Sequence, residues 1–210
     1  MYGLTKIQTA SSEPVSLQEM KDWLRLEDSF DDALVNAIQR AARTVVERAS
    51  GRQLVTTTWL MSLDTFPWMG GWWFMEAPSI FPDPHSIRLP KAPLQSVTSI
   101  VYTAMDGTEV TLSDTIYNVD TRTDPGRIQL AFGKTWPITR PKPGGIKITF
   151  VAGYGSAADV PDDLKTAIKM TAAWMYEHRG EDKDTNAMDI PAVVDSLIRL
   201  NWNGEMEYGI

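Results

Sequence analysis

The chain has 210 residues, of which 43% are hydrophobic and 22% are charged, and its net charge is −7. It contains no cysteine, which excludes disulfides and thiolate metal sites and is typical of a protein that folds in a reducing cytoplasm. No stretch reaches the roughly 18 uninterrupted apolar residues that span a bilayer, and the first residues lack a secretory signal, so no membrane partner is expected. The excess of acidic residues argues against a protein that binds nucleic acid over most of its surface, because such binding depends on neutralising phosphates.

Helical signals follow a polar arm of about 13 residues at the N-terminus. Ser16 and Glu19 have the spacing of a capping box, which predicts a short helix through about Leu26. A second helix is predicted from the acidic segment near Asp32 to Gly51, a natural helix stop. Apolar residues recur along it at intervals of three and four and predict one buried face, made of Leu34, Ala37, Ile38, Ala41, Val45 and Ala49.

The pattern changes to period two and β-branched composition at about residue 54. Candidate strands cover residues 54–63, 86–89, 96–103, 110–112, 116–120, 127–132 and 146–151. Turn signals separate several of them, for example Asp106-Gly107 and Pro143-Gly144-Gly145. This middle region is therefore predicted to form a small antiparallel β-domain, sandwich-like or barrel-like.

Helical character returns in the last 55 residues. Asp159–Asp163 provide a proline and acids for a helix start, and Arg179-Gly180 for its end. A final short helix is expected from about Ile190. The predicted fold class is α+β: residues 1–53 form the N-terminal arm and two helices, residues 54–155 form an inserted β-domain, and residues 156–210 pack with residues 14–53 as one helical domain.

No catalytic constellation, metal site or cofactor site is predicted. The two histidines, His85 and His178, lie in a turn and at a helix end, and Ser156 lacks the surroundings of a nucleophile elbow. The acidic segment that begins at Asp120 fails as a calcium loop, because Arg122 occupies a ligand position and a proline interrupts it. A histidine-based hydrolase remains the least favoured alternative.

Two groups of residues are candidates for contacts with other molecules. The segment 66–75 is too broken by glycine for a strand and unusually aromatic; it is either a lid on the core or a loop that inserts into a partner through Trp68, Met69, Trp72, Trp73 and Phe74. Arg40, Arg43 and Arg48 share part of one helix surface and could face DNA. Because Glu47 lies among them, a solvated face of mixed charge is the simpler interpretation.

Several local strings, taken in order, resemble the head–tail connector (adaptor) proteins of tailed bacteriophages and related particles. They are Glu13-Pro14-Val15-Ser16-Leu17, Glu47-Arg48-Ala49-Ser50-Gly51-Arg52, Ile87-Arg88-Leu89-Pro90, Tyr117-Asn118-Val119-Asp120, Phe150-Val151-Ala152-Gly153-Tyr154-Gly155, Val160-Pro161-Asp162-Asp163-Leu164 and Ile190-Pro191-Ala192-Val193-Val194. Together they span most of residues 13–200. The Trp-rich segment has no place in the family pattern.

The resemblance implies a non-enzymatic virion protein at the head–tail junction of a phage or gene transfer agent, assembled in the bacterial cytoplasm. Such proteins form a ring, usually of twelve copies, under the portal protein; the ring extends the DNA channel without sequence-specific binding and docks a tail-side stopper or tail terminator protein. The helices would pack in the ring. The C-terminal segment would dock on the portal, with the candidate residues Pro191, Val193, Val194, Leu197, Ile198, Leu200 and Trp202. The alternative is a tail or baseplate binding module that uses the Trp-rich loop.

Overall fold

The computed structural model of the chain describes residues 2–8, 12–67, 85–179 and 192–201. It divides into two compact units, a β unit (residues 1–10 and 56–153) and a helical unit (residues 11–55 and 154–210). The predicted α+β class is confirmed.

The β unit contains two antiparallel sheets in the described residues. Numbered in chain order, the strands are β1 (Tyr2–Lys6), β2 (Thr57–Leu63), β3 (Ser86–Arg88), β4 (Leu94–Thr103), β5 (Glu109–Thr111), β6 (Tyr117–Asp120), β7 (Arg127–Leu130) and β8 (Ile146–Ala152). The larger sheet has the order β1-β2-β8-β4-β5, and the smaller has the order β3-β7-β6.

The core of the β unit draws on both sheets. Ile148 and Phe150 of β8 are buried, whereas the alternate residues Lys147 and Thr149 are only half-buried, so the period-two pattern of this strand is confirmed. These side chains share one apolar cluster with Ile128 of the smaller sheet. The two sheets therefore contribute to a single hydrophobic core.

The N-terminus differs from the predicted polar arm, because it forms the edge strand β1. Tyr2 pairs with Leu63 and Lys6 with Trp59 in antiparallel register on β2. Tyr2 and Leu4 also pack against the core cluster. With only two apolar residues in alternation, the segment gave too weak a periodic signal for a strand to be predicted.

The helical unit contains α1 (Leu17–Leu24), α2 (Asp32–Ser50), α3 (Asp162–Glu177) and α4 (Ala192–Leu200). The predicted capping box starts α1: the Ser16 hydroxyl accepts from the Glu19 amide at 3.2 Å, and the Glu19 carboxylate accepts from the Ser16 amide at 2.7 Å. Gly51, with φ of 68°, ends α2 as predicted. The helices meet around buried Met20, Val46, Ile168 and other apolar residues. No helix in the described ranges is long and apolar enough to cross a membrane.

The buried face of α2 matches the predicted one only in part, because Ile38 packs partly against the helical core and Val45 is half-buried. Val35, Gln39, Ala42, Arg43, Val46, Glu47 and Ser50 are buried, whereas Leu34, Ala37, Ala41 and Ala49 are exposed. Both sets satisfy helical spacing, and the apolar set was the natural choice from sequence. The polar set can be buried because its members bond to one another and to the preceding segment.

Candidate interaction surfaces

The helix α4 presents two different sides. Val194 and Ile198, one turn apart, are buried in the helical core, and Leu197 packs partly against it. Val193 and Leu200, seven residues apart, share the opposite side, with 58% and 78% of their surface exposed. Val194 and Ile198 are therefore corrected to core residues, which leaves Val193 and Leu200 as the accessible apolar side chains of α4. The predicted docking residues Pro191 and Trp202 lie outside the described residues.

Hydrogen bonds fix the end of α4 in the helical unit. The Asn201 side chain donates to Asp163 of α3, and the backbone carbonyl oxygen of Asn201 accepts from the Arg52 guanidinium. On the exposed side, Arg199 pairs with Asp195 at 2.7 Å. The contacts of Asn201 therefore hold the C-terminal end of α4 in the helical unit.

The three arginines of α2 separate into two classes. Arg40 and Arg48 are exposed. Arg43 is buried, and its guanidinium bonds to Glu13 at 2.7 Å and to Glu47 at 3.0 Å. Burial alone would lower the pKa of Arg43, but the Glu47 and Glu13 carboxylates outweigh it and raise that pKa. Arg43 is thus a structural cation, and the prediction that it faces DNA is wrong.

Glu47 completes this buried cluster. Its carboxylate accepts from Arg43, from the Gln53 side chain at 2.7 Å and from the Leu54 amide at 3.1 Å. The cluster joins the end of α2 to the segment that leaves it and, through Glu13, to the residues before α1. These donors satisfy the hydrogen-bonding capacity of a carboxylate that is buried.

The exposed residues of α2 form an apolar stripe. Leu34, Ala37 and Ala41 follow Phe30 at intervals of four, three and four residues, and Phe30 is 91% exposed. This spacing places Leu34, Ala37 and Ala41 along one side of α2, and Phe30 lies two residues before the helix begins. The stripe carries small side chains at its centre, which permits close approach of another helix.

The residues proposed as a contact loop, Trp68, Met69, Trp72, Trp73 and Phe74, lie outside the described residues. The chain enters that segment at Phe66, which is buried and stacks on Trp136 with 4.8 Å between ring centroids and 5° between ring planes. The aromatic segment thus begins at the core of the β unit.

A further surface, which the sequence analysis missed, is the connection between β7 and β8. We call residues 131–145 the basic loop. It carries Lys134, Arg140 and Lys142 and no acidic residue, and Phe132 and Ile138 are almost fully exposed. Arg140 and Lys142 line a shallow depression of about 380 Å³ together with Thr103 and Gly107. The available sequence signal was the complete absence of acids between Asp124 and Asp159.

The residues considered for catalysis have local bonding partners. The Ser156 hydroxyl donates to Asp159 at 2.7 Å, at the start of a turn of 3₁₀ helix. The His178 ring bonds through Nδ1 to the Trp174 carbonyl at 2.8 Å and stacks on that indole. His85 contributes its carbonyl to the Leu130 amide. Within the described ranges, no group of three or more histidine, aspartate or glutamate side chains could hold a metal ion.

Comparison with known proteins identifies the family. The chain matches the phage gp6-like head–tail connector proteins over residues 14–125, more than half of its length. The chain therefore belongs to the phage gp6-like head–tail connector family, and the predicted resemblance is confirmed. As a member, it is a structural component of the head–tail junction of a phage or phage-like particle. Curated protein sequences provide no match.

Solved structures share the fold over almost the whole chain. A chain from the neck of an empty gene transfer agent particle, computed with C6 symmetry, matches with a TM-score of 0.75 and 24% identity, covering 99% of this chain and 98% of that one. A chain from the virion of the native gene transfer agent particle has a TM-score of 0.73 and 24% identity, with 98% of both chains covered. A third, from the native neck computed with C12 symmetry, has a TM-score of 0.69 and 22% identity, with 93% and 94% covered.

Proposed function

We propose that this connector is a ring-forming, non-enzymatic head–tail adaptor. Twelve copies assemble under the portal protein, extend the DNA channel and present a surface to a tail-side stopper or tail terminator protein. Assembly takes place in the cytoplasm of the bacterial host. DNA passes through the ring without sequence-specific contacts.

The observation that carries this proposal is the extent of the structural match. Both units of the chain, and not one alone, have counterparts in chains from gene transfer agent necks. Those necks were computed with C6 and C12 symmetry, and a cyclic arrangement repeats the same contact around an axis. The simplest interpretation of that match is a connector in which both units take part in the contact that repeats between neighbouring copies.

The exposed side of α4 supports docking on the portal. Val193 and Leu200 offer apolar surface on a helix that is already fixed, so little conformational entropy is lost on binding. Burial of such side chains is favourable at roughly 25 cal/mol per Å². The exposed stripe of α2 offers a second apolar surface, suited to packing of helices between neighbouring copies.

The channel requires contacts with DNA that are weak. Arg40 and Arg48 are the exposed arginines of α2, and we assign them to the DNA-facing side. The net charge of −7 keeps general attraction for phosphates low, which suits a passage that DNA must leave.

The test is to combine the purified chain with isolated portal rings and to measure ring formation by negative-stain imaging and native mass spectrometry. We expect rings of twelve copies on the portal. Val193→Asp and Leu200→Asp should reduce binding to the portal at least tenfold, because each would bury a charge in the contact. The matched control is Asp195→Ser combined with Arg199→Ser, which removes an exposed ion pair from the same helix without a change in net charge. Normal docking by both aspartate variants would refute the assignment to α4, and no ring with the wild-type chain would refute the adaptor proposal.

A further inference from the structure

The basic loop has a charge opposite to that of the rest of the chain. Its 15 residues carry three basic and no acidic side chains, whereas the other 195 residues carry 17 basic and 27 acidic ones. Lys134, Arg140 and Lys142 are all exposed. The loop is therefore a local positive surface on an acidic protein.

The basic side chains of the loop form no ion pair with the described part of the chain. None of the three lies within 4 Å of a described carboxylate, whereas the neighbouring Lys147 of β8 pairs with Glu109 at 2.7 Å. That bond with Lys147 is the main reason that the pKa of Glu109 is lowered, and Lys142 adds only a weaker attraction.

The other acids near the loop are also engaged. Asp106 accepts from the amide and hydroxyl of Thr108, and Asp64 accepts from the Gly144 amide at 2.8 Å. Within the ranges that the structure describes, the positive side chains of the loop form no ion pair and can therefore bind an external partner.

Two large apolar side chains accompany these cations. Phe132, with a relative exposure of 105%, lies in a tight turn in which the Lys134 amide donates to the Ala131 carbonyl at 3.0 Å. Ile138, 82% exposed, follows four residues after Lys134. Phe132 and Ile138 alternate in sequence with Lys134 and Arg140, and burial of their side chains against another protein would be favourable.

The backbone of the loop is fixed before any partner binds. Trp136 stacks on buried Phe66, and the Arg140 amide donates to the Thr103 carbonyl at 3.0 Å. The Gly145 amide donates to the Lys142 carbonyl, also at 3.0 Å. Since these bonds hold the loop in shape, the entropy lost on docking is small.

We propose that the basic loop docks on an acidic surface of a second copy of this chain and buries Phe132 and Ile138 there. The inference rests on the proposed ring, and it names the element that joins neighbouring copies. A second copy is favoured over DNA because phosphates offer no burial for the apolar side chains, whereas the chain itself supplies the surplus of acids.

The charge distribution also fits the symmetry of a ring. Two basic loops would repel each other, so the loop cannot pair with itself across a twofold axis. A basic loop that meets a different, acidic surface can form a heterologous contact, the kind that closes into rings of more than two copies.

The first test places a photo-crosslinker at the tip of the loop. Phe132→p-benzoylphenylalanine is assembled on portal rings from an equal mixture of ¹⁵N-labelled and unlabelled chains and irradiated. We expect crosslinks of mixed isotope that join position 132 to an acid-containing segment of another copy. The same substitution at Val119, an exposed residue of β6, is the control and should give at least fivefold fewer such crosslinks. Crosslinks to DNA, to the portal or to a tail-side protein, or none in intact rings, would overturn the proposal.

The second test reverses charge. Lys134→Glu with Lys142→Glu should lower the fraction of chains in portal-bound rings at least tenfold, and Phe132→Ser should have a similar effect. The control is Lys6→Glu with Arg122→Glu, an equal change in charge elsewhere on the β unit. It should lower the fraction of chains in portal-bound rings less than twofold. Circular dichroism confirms that each variant folds. Equal losses in both pairs, or none, would refute the loop contact while leaving the ring proposal standing; absence of rings from wild-type chains would refute both.

Discussion

The guanidinium of Arg43 lies 2.7 Å from the carboxylate of Glu13, 30 residues earlier in the chain, and this bond ties the segment before α1 to the middle of α2. The same guanidinium bonds to Glu47 one turn further along the helix. The side chain of Arg43 retains only 8% of its exposure, so the pair with Glu47 is shielded from solvent.

Arg43→Met should destabilise the helical unit by about 3 kcal/mol, because it leaves the Glu47 carboxylate buried without its cation. Glu13→Gln should cost less, since Glu13 is more exposed and its amide can still bond to Arg43. Urea denaturation followed by circular dichroism measures both. A loss below 1 kcal/mol for Arg43→Met would show that Glu47 is satisfied by Gln53 and the Leu54 amide alone.

The capping box of α1 should make part of the stability dependent on pH. Hydrogen bonds from the Ser16 amide and hydroxyl lower the pKa of Glu19 in the folded chain below its ordinary value of 4.5. A lowered folded-state pKa means that this contribution is present above about pH 4.5 and is lost as the pH falls through the lower value.

Glu19→Gln should therefore flatten the acid side of the stability profile, with little change at pH 7 beyond the loss of the charge–dipole contribution. Ser16→Ala should cost about 1 kcal/mol at neutral pH. Gln18→Ala, an exposed change in the same turn, is the control. Thermal unfolding between pH 3 and pH 7 would show unchanged profiles if the capping box had no energetic effect.

Arg40→Gln with Arg48→Gln should leave the free energy of unfolding within about 0.5 kcal/mol of the wild type, because both side chains are exposed. If these arginines face DNA, the variant ring should show a smaller salt dependence of DNA release, by a slope of roughly 0.9 for each phosphate contact removed. DNA ejection from assembled particles at several salt concentrations measures this. An unaltered slope would place the two arginines away from the channel.

Gly126→Ala should destabilise the β unit by about 2 kcal/mol. A methyl group there would lie 2.4 Å from Cβ and 2.6 Å from Cδ2 of Leu94, which is itself buried. Gly3→Ala is the matched control, since an added methyl group at that position meets no atom within 4 Å. Equal melting temperatures for the two variants would show that the strand carrying Leu94 yields at little cost.

Local signals predicted the elements of this fold well. The Ser16–Glu19 box and Gly51 fixed ends of helices because capping depends on residues three or four positions apart. The alternation along β8 predicted a strand for the same reason, since neighbouring residues alone define its two faces. The family resemblance was confirmed by the match over residues 14–125, which includes the strings up to Asp120.

The candidate interaction surfaces were harder to predict from the sequence. The stripe of Leu34, Ala37 and Ala41 has the spacing of a buried face, but the tertiary structure buries the side of Arg43 and Glu47. Spacing shows which residues share a side of a helix and not which side meets the core, and buried polar side chains depend on partners such as Glu13 that are far away in the chain.

By itself, the sequence of this connector determined the α+β class, the positions of most helices and strands, and the family, because these depend on local periodicity, capping and ordered strings. Only the tertiary structure decided which apolar and charged side chains remain accessible. It placed Val194 and Ile198 in the core and left Val193 and Leu200 exposed. It also exposed Phe132 and Ile138 on a loop whose charged side chains are all basic. The physical reason is that burial depends on how the whole chain packs. The sequence pattern of a helix or strand is the same whether its apolar side faces the protein core or another molecule.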